Sequence, residues 1–159
     1  FSGLQSPVRE DTTPIEDWLP HPLYLFTDLI GQEPIEVSAK QISEDVFHVD
    51  AKFPNEIPAN IDIGWTWPEK KRELAVKGVK GILTFDSSQQ IKTLTFMSNS
   101  GQSQKFDIPT SFTPLALEVL EFVECIKTGR KPKTGLDQGI AVMRMIEQAK
   151  QSLNFSAQL

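Results

Sequence analysis

An α+β fold, with an open, mostly antiparallel sheet of about six or seven strands and helices on one face, follows from three observations. Apolar residues alternate with period two through most of residues 34–109. One apolar helical stripe stands before that region, and two more stand after it.

Residues 1–14 (FSGLQSPVREDTTP) are polar and hold two prolines, so they read as an irregular or extended lead-in. A helix is expected over about Pro20 to Ile30, where Leu23, Phe26 and Ile30 repeat at helical spacing. Gly31 supplies the left-handed stop. Then the period changes. Ile35, Val37 and Ala39 alternate with Glu36, Ser38 and Lys40, and Phe47, Val49, Ala51 and Phe53 alternate with His48, Asp50 and Lys52. Over 57–67 the apolar set is Ile57, Ala59, Ile61, Ile63, Trp65 and Trp67. Shorter strands are expected near 72–78, 81–86, 90–97 and 104–109, joined by turn-rich connectors as at 87–90 and 98–103, which suits a meander. Thr113 and Pro114 make an N-cap and first-turn pair for a helix with the stripe Leu115, Val119, Phe122, Val123 and Ile126, stopped by Gly129. Thr134, with Asp137 three residues on, is the expected cap of a last helix with the stripe Leu136, Ile140, Met143 and Ile146. Residues 15–159 then form a single α+β domain.

The bulk numbers exclude several functions. A chain of 159 residues is long enough for one domain with a real core. The net charge of −5 argues against a general binder of nucleic-acid backbone. No run approaches the ~20 apolar residues that span a bilayer. The lone Cys125 has no internal disulfide partner, and the spacings of structural zinc sites are absent, so no metal is expected and a reducing, cytoplasmic setting fits. The first residue is Phe1, not Met, so the chain is expected to be a piece of something longer.

Candidate chemistry starts at DWLPH. A histidine titrates near neutrality and a neighbouring carboxylate can orient it, so Asp17 and His21 form a possible proton-transfer pair. The spacing equally allows Asp17 to cap a helix beside an exposed His21, with Pro20 and Pro22 tolerated in the first turn, where amides are unpaired anyway. Trp65 and Trp67 are expected on one face, as packing or as a platform for a sugar. Arg72, in KKRE, reads either as a solvated charge or as an anion clamp. His48 falls on the polar side of its strand. GVKG (78–81) reads as a turn with two glycines. No G-x-G-x-x-G fingerprint, P-loop or G-x-S-x-G occurs.

Several stretches taken together resemble the C-terminal domain of the Gfo/Idh/MocA (glucose-fructose oxidoreductase / inositol dehydrogenase) family. Asp17 to His21 is similar to its D-x-x-x-H, followed by a helix ending LIG. GWTWP (64–68) and LAVKGVKGILTFD (74–86) resemble its strand ending in Trp and the strand pair after it. Residues 113–132 and 139–153 resemble its last two helices. Pro20 stands where the family often has a small residue, and Pro22 follows the histidine. The resemblance implies an N-terminal Rossmann domain, absent from this chain, that binds NAD or NADP and carries an E-K-P lysine. It implies His21 as acid/base and Asp17 as the residue orienting it or the substrate, a sugar or polyol; Trp67 and Arg72, read from the residues themselves, are the candidate substrate contacts. No nucleotide is expected to bind this chain alone. Family members pair through the open sheet face, so a homodimer is expected there, through the small, polar side holding His48, Asp50, Lys52, Asn60, Asp62 and Thr66. Nucleic acid and membrane are not expected partners.

Two hypotheses remain at this stage. One is the substrate-binding and dimerisation domain of an NAD(P)-dependent oxidoreductase. The other is a nonenzymatic ligand-binding or dimerising domain of the same fold.

Overall fold

The computed structural model describes residues 1–4, 6–88, 92–108 and 112–156. Its elements are β1 (Ser2–Leu4), α1 (Pro14–Asp17), α2 (Pro20–Ile30), β2 (Glu36–Ser43), β3 (Val46–Phe53), β4 (Ile57–Gly64), β5 (Lys71–Gly78), β6 (Gly81–Asp86), β7 (Thr93–Ser98), β8 (Ser103–Asp107), α3 (Pro114–Thr128) and α4 (Leu136–Ser156). Residues 90 and 91 of the expected seventh strand, and 109 of the eighth, lie outside the described residues.

The alternation in β2, β3 and β4 does what its period demands. Antiparallel register sets Ala39 opposite Val49 and Val49 opposite Ile61, and likewise Phe47 opposite Ile63. One face of these strands therefore carries Val37, Ala39, Phe47, Val49, Ala51, Phe53, Ile61 and Ile63, all buried. Helices α2 and α4 cover that face with Leu23 and Phe26 from one and Ala141, Val142, Met145, Ile146 and Ala149 from the other.

The sheet has eight strands in the order β2-β3-β4-β1-β5-β6-β7-β8. The expected irregular lead-in contains its central strand. β1 runs parallel to β4 and antiparallel to β5, with Gly3 opposite both Ile63 and Arg72. Backbone pairing alone accounts for this, because a strand of three residues leaves no periodicity to read. The Phe1 ammonium donates to the Asn60 carbonyl at 2.8 Å, and the Asp62 amide donates to the Phe1 carbonyl at 2.8 Å.

The helices depart from expectation in three ways. The stripe on α3 does not pack: Leu115, Phe122 and Ile126 are 68%, 62% and 66% exposed, and Cys125 is the buried residue of that helix. Its ends behave as read, with Thr113 Oγ1 accepting from the Ala116 amide and Gly129 in the left-handed region at φ 68°. On α4 the buried face is Ala141, Val142, Met145, Ile146 and Ala149, while Leu136, Ile140 and Met143 face outward. Small residues win because α4 lies close along β2, near enough for the Ala39 amide to donate to Ser152 Oγ at 2.7 Å. Thr134 is not the cap of α4. Gln138 instead reaches back to accept from the Gly135 amide at 3.0 Å, half of a capping box.

The opposite face of the sheet is polar. On it, His48 Nδ1 lies 2.7 Å from Asp62 Oδ1 and Nε2 lies 3.2 Å from Asp50 Oδ1, while Asn60 donates to that same Asp50 oxygen at 2.6 Å. The hydrogen bond to Asp62 raises the His48 pKa above its ordinary 6.5, against the opposing effect of partial burial, with Asp50 adding to the rise. A raised value means stability fully present below 6.5 and lost as pH climbs through the folded value. Urea titrations across this range are expected to show stability falling with pH, by less than about 1 kcal/mol for so exposed a pair. His48→Gln is expected to flatten that fall.

Candidate functional site

The site is built on an elbow between two helices. Proline at the first position starts α1, the chain turns at Trp18 and Leu19, and Pro20 starts α2. Asp17 is thus the last residue of α1 and not the cap of α2; the capping position belongs to the buried Leu19, which makes no side-chain cap. Pro22 fits the first turn as expected and is itself fully buried.

Asp17 is anchored from two sides. Its Oδ1 accepts from Arg9 Nη1 at 3.1 Å and its Oδ2 from Trp65 Nε1 at 3.3 Å. Arg9 in turn forks onto Asp11, which holds the loop ahead of α1 against the elbow and keeps the Asp11 carboxyl below its usual range. Because Trp65 follows β4 directly, this carboxylate pins the elbow to the end of the sheet.

The Trp18 ring packs against β1 beside this anchor, and Gly3 makes that possible. A Cβ at residue 3 would stand 2.9 Å from the Trp18 ring and 2.8 Å from the Phe1 ring, closer than such atoms approach. Trp18 Nε1 donates to Ser6 Oγ at 3.1 Å, which fixes the ring's direction. The Arg72 guanidinium carbon sits 4.7 Å from the ring centroid on β5, directly across the ladder from Gly3. The His21 ring meets the indole edge-on, with centroids 6.4 Å apart.

Asp17, Trp18, His21 and Arg72 line one open hollow of about 410 Å³, with Phe1 and Ser87 completing the wall. That volume suits a small-molecule site. The structure therefore brings together three of the four residues singled out from sequence: Asp17, His21 and Arg72. It does so without a hydrogen bond between Asp17 and His21, since both oxygens of Asp17 are committed to Arg9 and Trp65. His21 is exposed and also borders a second, more apolar hollow of about 490 Å³ with Pro20, Tyr24, Gln138, Val142 and Met143.

Trp67 is the correction. The expected strand over 57–67 stops at Gly64, and the alternation stops with it. Trp65 stays inward at 5% exposed, whereas Trp67 swings to the polar face, 43% exposed beside Ser2, Val46, His48, Asp62 and Lys71. It does not touch the hollow that holds His21.

Arg72 is not a simply solvated charge. Its Nε is buried and donates to nothing, and among the described residues no carboxylate pairs with its guanidinium. A buried donor without a partner costs on the order of 1–3 kcal/mol. The contributions of Trp18 and Phe1 escaped the sequence reading. Trp18 stands inside DWLPH, but its role depends on a glycine fifteen positions earlier in a strand too short to detect.

Gly78 and Gly81, the glycine pair nearest a phosphate-loop look, close the hairpin between β5 and β6. Among the described residues no cluster of metal ligands occurs, and no helix is long and apolar enough to cross a membrane.

Residues 14–158 match the oxidoreductase family, C-terminal alpha/beta domain. Among solved structures, the chain is similar to a UDP-N-acetylglucosamine 3-dehydrogenase from Acidithiobacillus ferrooxidans (TM-score 0.83, 20% identity, 96% of this chain and 52% of that one). It is also similar to a 3-ketoreductase from Actinomadura kijaniata in complex with TDP-benzene and NADP (TM-score 0.76, 11% identity, 96% and 51%). A third is biliverdin reductase from Synechocystis in complex with biliverdin and NADP+ (TM-score 0.71, 15% identity, 96% and 52%). At these identities the likeness shows the fold. The chain spans about half the length of each. No curated protein matches it.

The anchor under Trp18 is open to test. Gly3→Ala is expected to displace the indole, to cost about 1–3 kcal/mol as an overpacking change, and to shift the tryptophan emission of the folded protein. Fluorescence-monitored urea unfolding checks both, and an unmoved spectrum with unchanged midpoint would contradict the close approach.

Proposed function

The chain belongs to this oxidoreductase family, as its C-terminal alpha/beta domain, and from that premise we propose that it is the substrate-binding and dimerisation half of an NAD(P)-dependent enzyme acting on a sugar or polyol hydroxyl. The observation that carries the proposal is the shared hollow, where His21 and Asp17 stand on two sides of one proline-bounded elbow. Two of the similar structures carry NADP, and two are named for the oxidation or reduction of a sugar or keto group. Biliverdin in the third shows that the fold also serves a substrate that is not a sugar.

In this reading the substrate lies over Trp18 with its reacting hydroxyl toward His21. The nicotinamide, held by the other half of the protein, exchanges a hydride with the carbon. On oxidation the hydroxyl proton passes to the His21 imidazole as the hydride leaves, and on reduction it returns. The fixed carboxylate of Asp17 favours the imidazolium that forms, and its anchors to Arg9 and Trp65 keep it from following the substrate. The bare apolar stripe of α3 supports a further domain packed beside this one. A cytoplasmic setting, with Cys125 reduced, completes the reading.

For assembly we propose an isologous dimer through the polar sheet face. Ser38, His48, Asp62, Ala75, Thr84 and Thr95 offer it short side chains on a broad surface uncovered by helices.

In the full-length protein, His21→Ala is expected to lower turnover about a hundredfold or more, the scale of a general acid–base, with the fold intact. Unchanged turnover in a steady-state assay would remove His21 from the mechanism. For the dimer, light scattering at micromolar concentration is expected to give about twice the 17.9 kDa chain mass. Ala75→Glu, on the polar face, is expected to return it to one. A monomeric parent, or a dimer indifferent to Ala75→Glu, would contradict the interface.

A further inference from the structure

The hollow that holds His21 also holds a cation that meets no carboxylate among the described residues. Arg72 projects from β5 onto the helix-covered face, in register with Gly3, while the adjacent Glu73 falls on the opposite face with Ser2 and Asp62. Its backbone is fixed, since the Ser87 amide donates to its carbonyl at 2.8 Å and Ser87 Oγ lies 3.3 Å from the same oxygen. Its side chain is fixed by the indole of Trp18 beneath it. The nearest carboxylate in the wall, Asp17, is already taken by Arg9 and Trp65. What remains is a guanidinium over the indole, with a buried Nε–H that meets no acceptor among the described residues.

Side-on pairing through Nε and one Nη is a geometry in which a guanidinium takes two oxygens of one carboxylate or phosphate. An apolar or neutral ligand would leave the Nε–H unsatisfied. We infer that Arg72 is an oxyanion-binding residue of this hollow, so that the substrate carries a carboxylate or phosphate beside the hydroxyl that faces His21. The inference rests on the oxidoreductase reading and narrows it from sugars and polyols at large to their acidic derivatives. Trp18 supports Arg72 and lines the same hollow. Lysine cannot replace arginine fully, because a point charge lacks the side-on fork.

The test uses the full-length protein and two simple probes, acetate for the carboxylate and inorganic phosphate for the phosphate, titrated against intrinsic tryptophan fluorescence. At least one of the two is expected to give a saturable change, and which one does so names the anion. Arg72→Gln is expected to weaken that binding at least tenfold, with Arg72→Lys in between. Arg72→Lys keeps the charge and the stem, so it serves should the glutamine variant fail to fold. The inference is overturned if neither anion gives a saturable change in the parent protein, or if either folded variant binds as tightly as the parent. Nicotinamide-linked turnover is read separately. A parent protein that turns over but binds neither anion counts against Arg72 alone, and anion binding in a parent protein that transfers no hydride counts against the oxidoreductase reading.

Discussion

Three residues hold the two halves of the sheet together. Without β1, strands β2–β4 and β5–β8 would have no ladder between them, because β4 and β5 each pair with β1 and not with each other. The seam is made of backbone hydrogen bonds and of the buried side chain of Leu4. It also sets the chemistry. Gly3 sits on the seam, Trp18 rests on Gly3, and Arg72 rests on Trp18 from the neighbouring strand. Lateral displacement of β5 against β4 would carry Arg72 away from the elbow that holds His21. The alignment of the hollow is therefore a property of sheet register more than of any loop.

The two faces divide the work between them. The helix-covered face supplies the core at the β2–β4 end and the hollow where α1 and α2 meet β1 and β5. The polar face carries a self-satisfied network around His48, with both ring nitrogens engaged. α3 fits neither face. A stripe of leucine, valine and phenylalanine left in water is unusual for a finished surface, and it agrees with a chain that spans about half the length of the structures it resembles.

Much of this was legible because long alternating strands report their own burial. The eight residues of β3 place Phe47, Val49, Ala51 and Phe53 inward with no help from context. The helix ends at Gly31 and Gly129 were equally plain, because both positions need the left-handed backbone, at φ 75° and 68°, that glycine adopts freely. β1 was not legible, since its partners lie about sixty and seventy residues away and its own side chains have no pattern. The stripe of α4 misled because two apolar sets share that helix, and close packing on β2 selected the one containing Ala141 and Ala149. Trp67 misled because alternation was extended past Gly64, where the ladder ends. In the site, the motif located Asp17 and His21. The unpaired Nε of Arg72 was invisible, because satisfaction of a donor is a fact about three dimensions.

The prolines flanking His21 have a consequence for the entropy of the site. Each ring holds its own φ near −65°, so two of the four residues from Leu19 to Pro22 have little backbone freedom left to lose on ordering. Pro22 is buried against the core as well, which leaves the imidazole only its two side-chain torsions to settle. Ordering a free residue costs roughly 1–2 kcal/mol of backbone entropy alone. At this elbow the covalent structure has already met much of that cost before any ligand arrives, and binding energy is left for orienting the ligand instead of the protein.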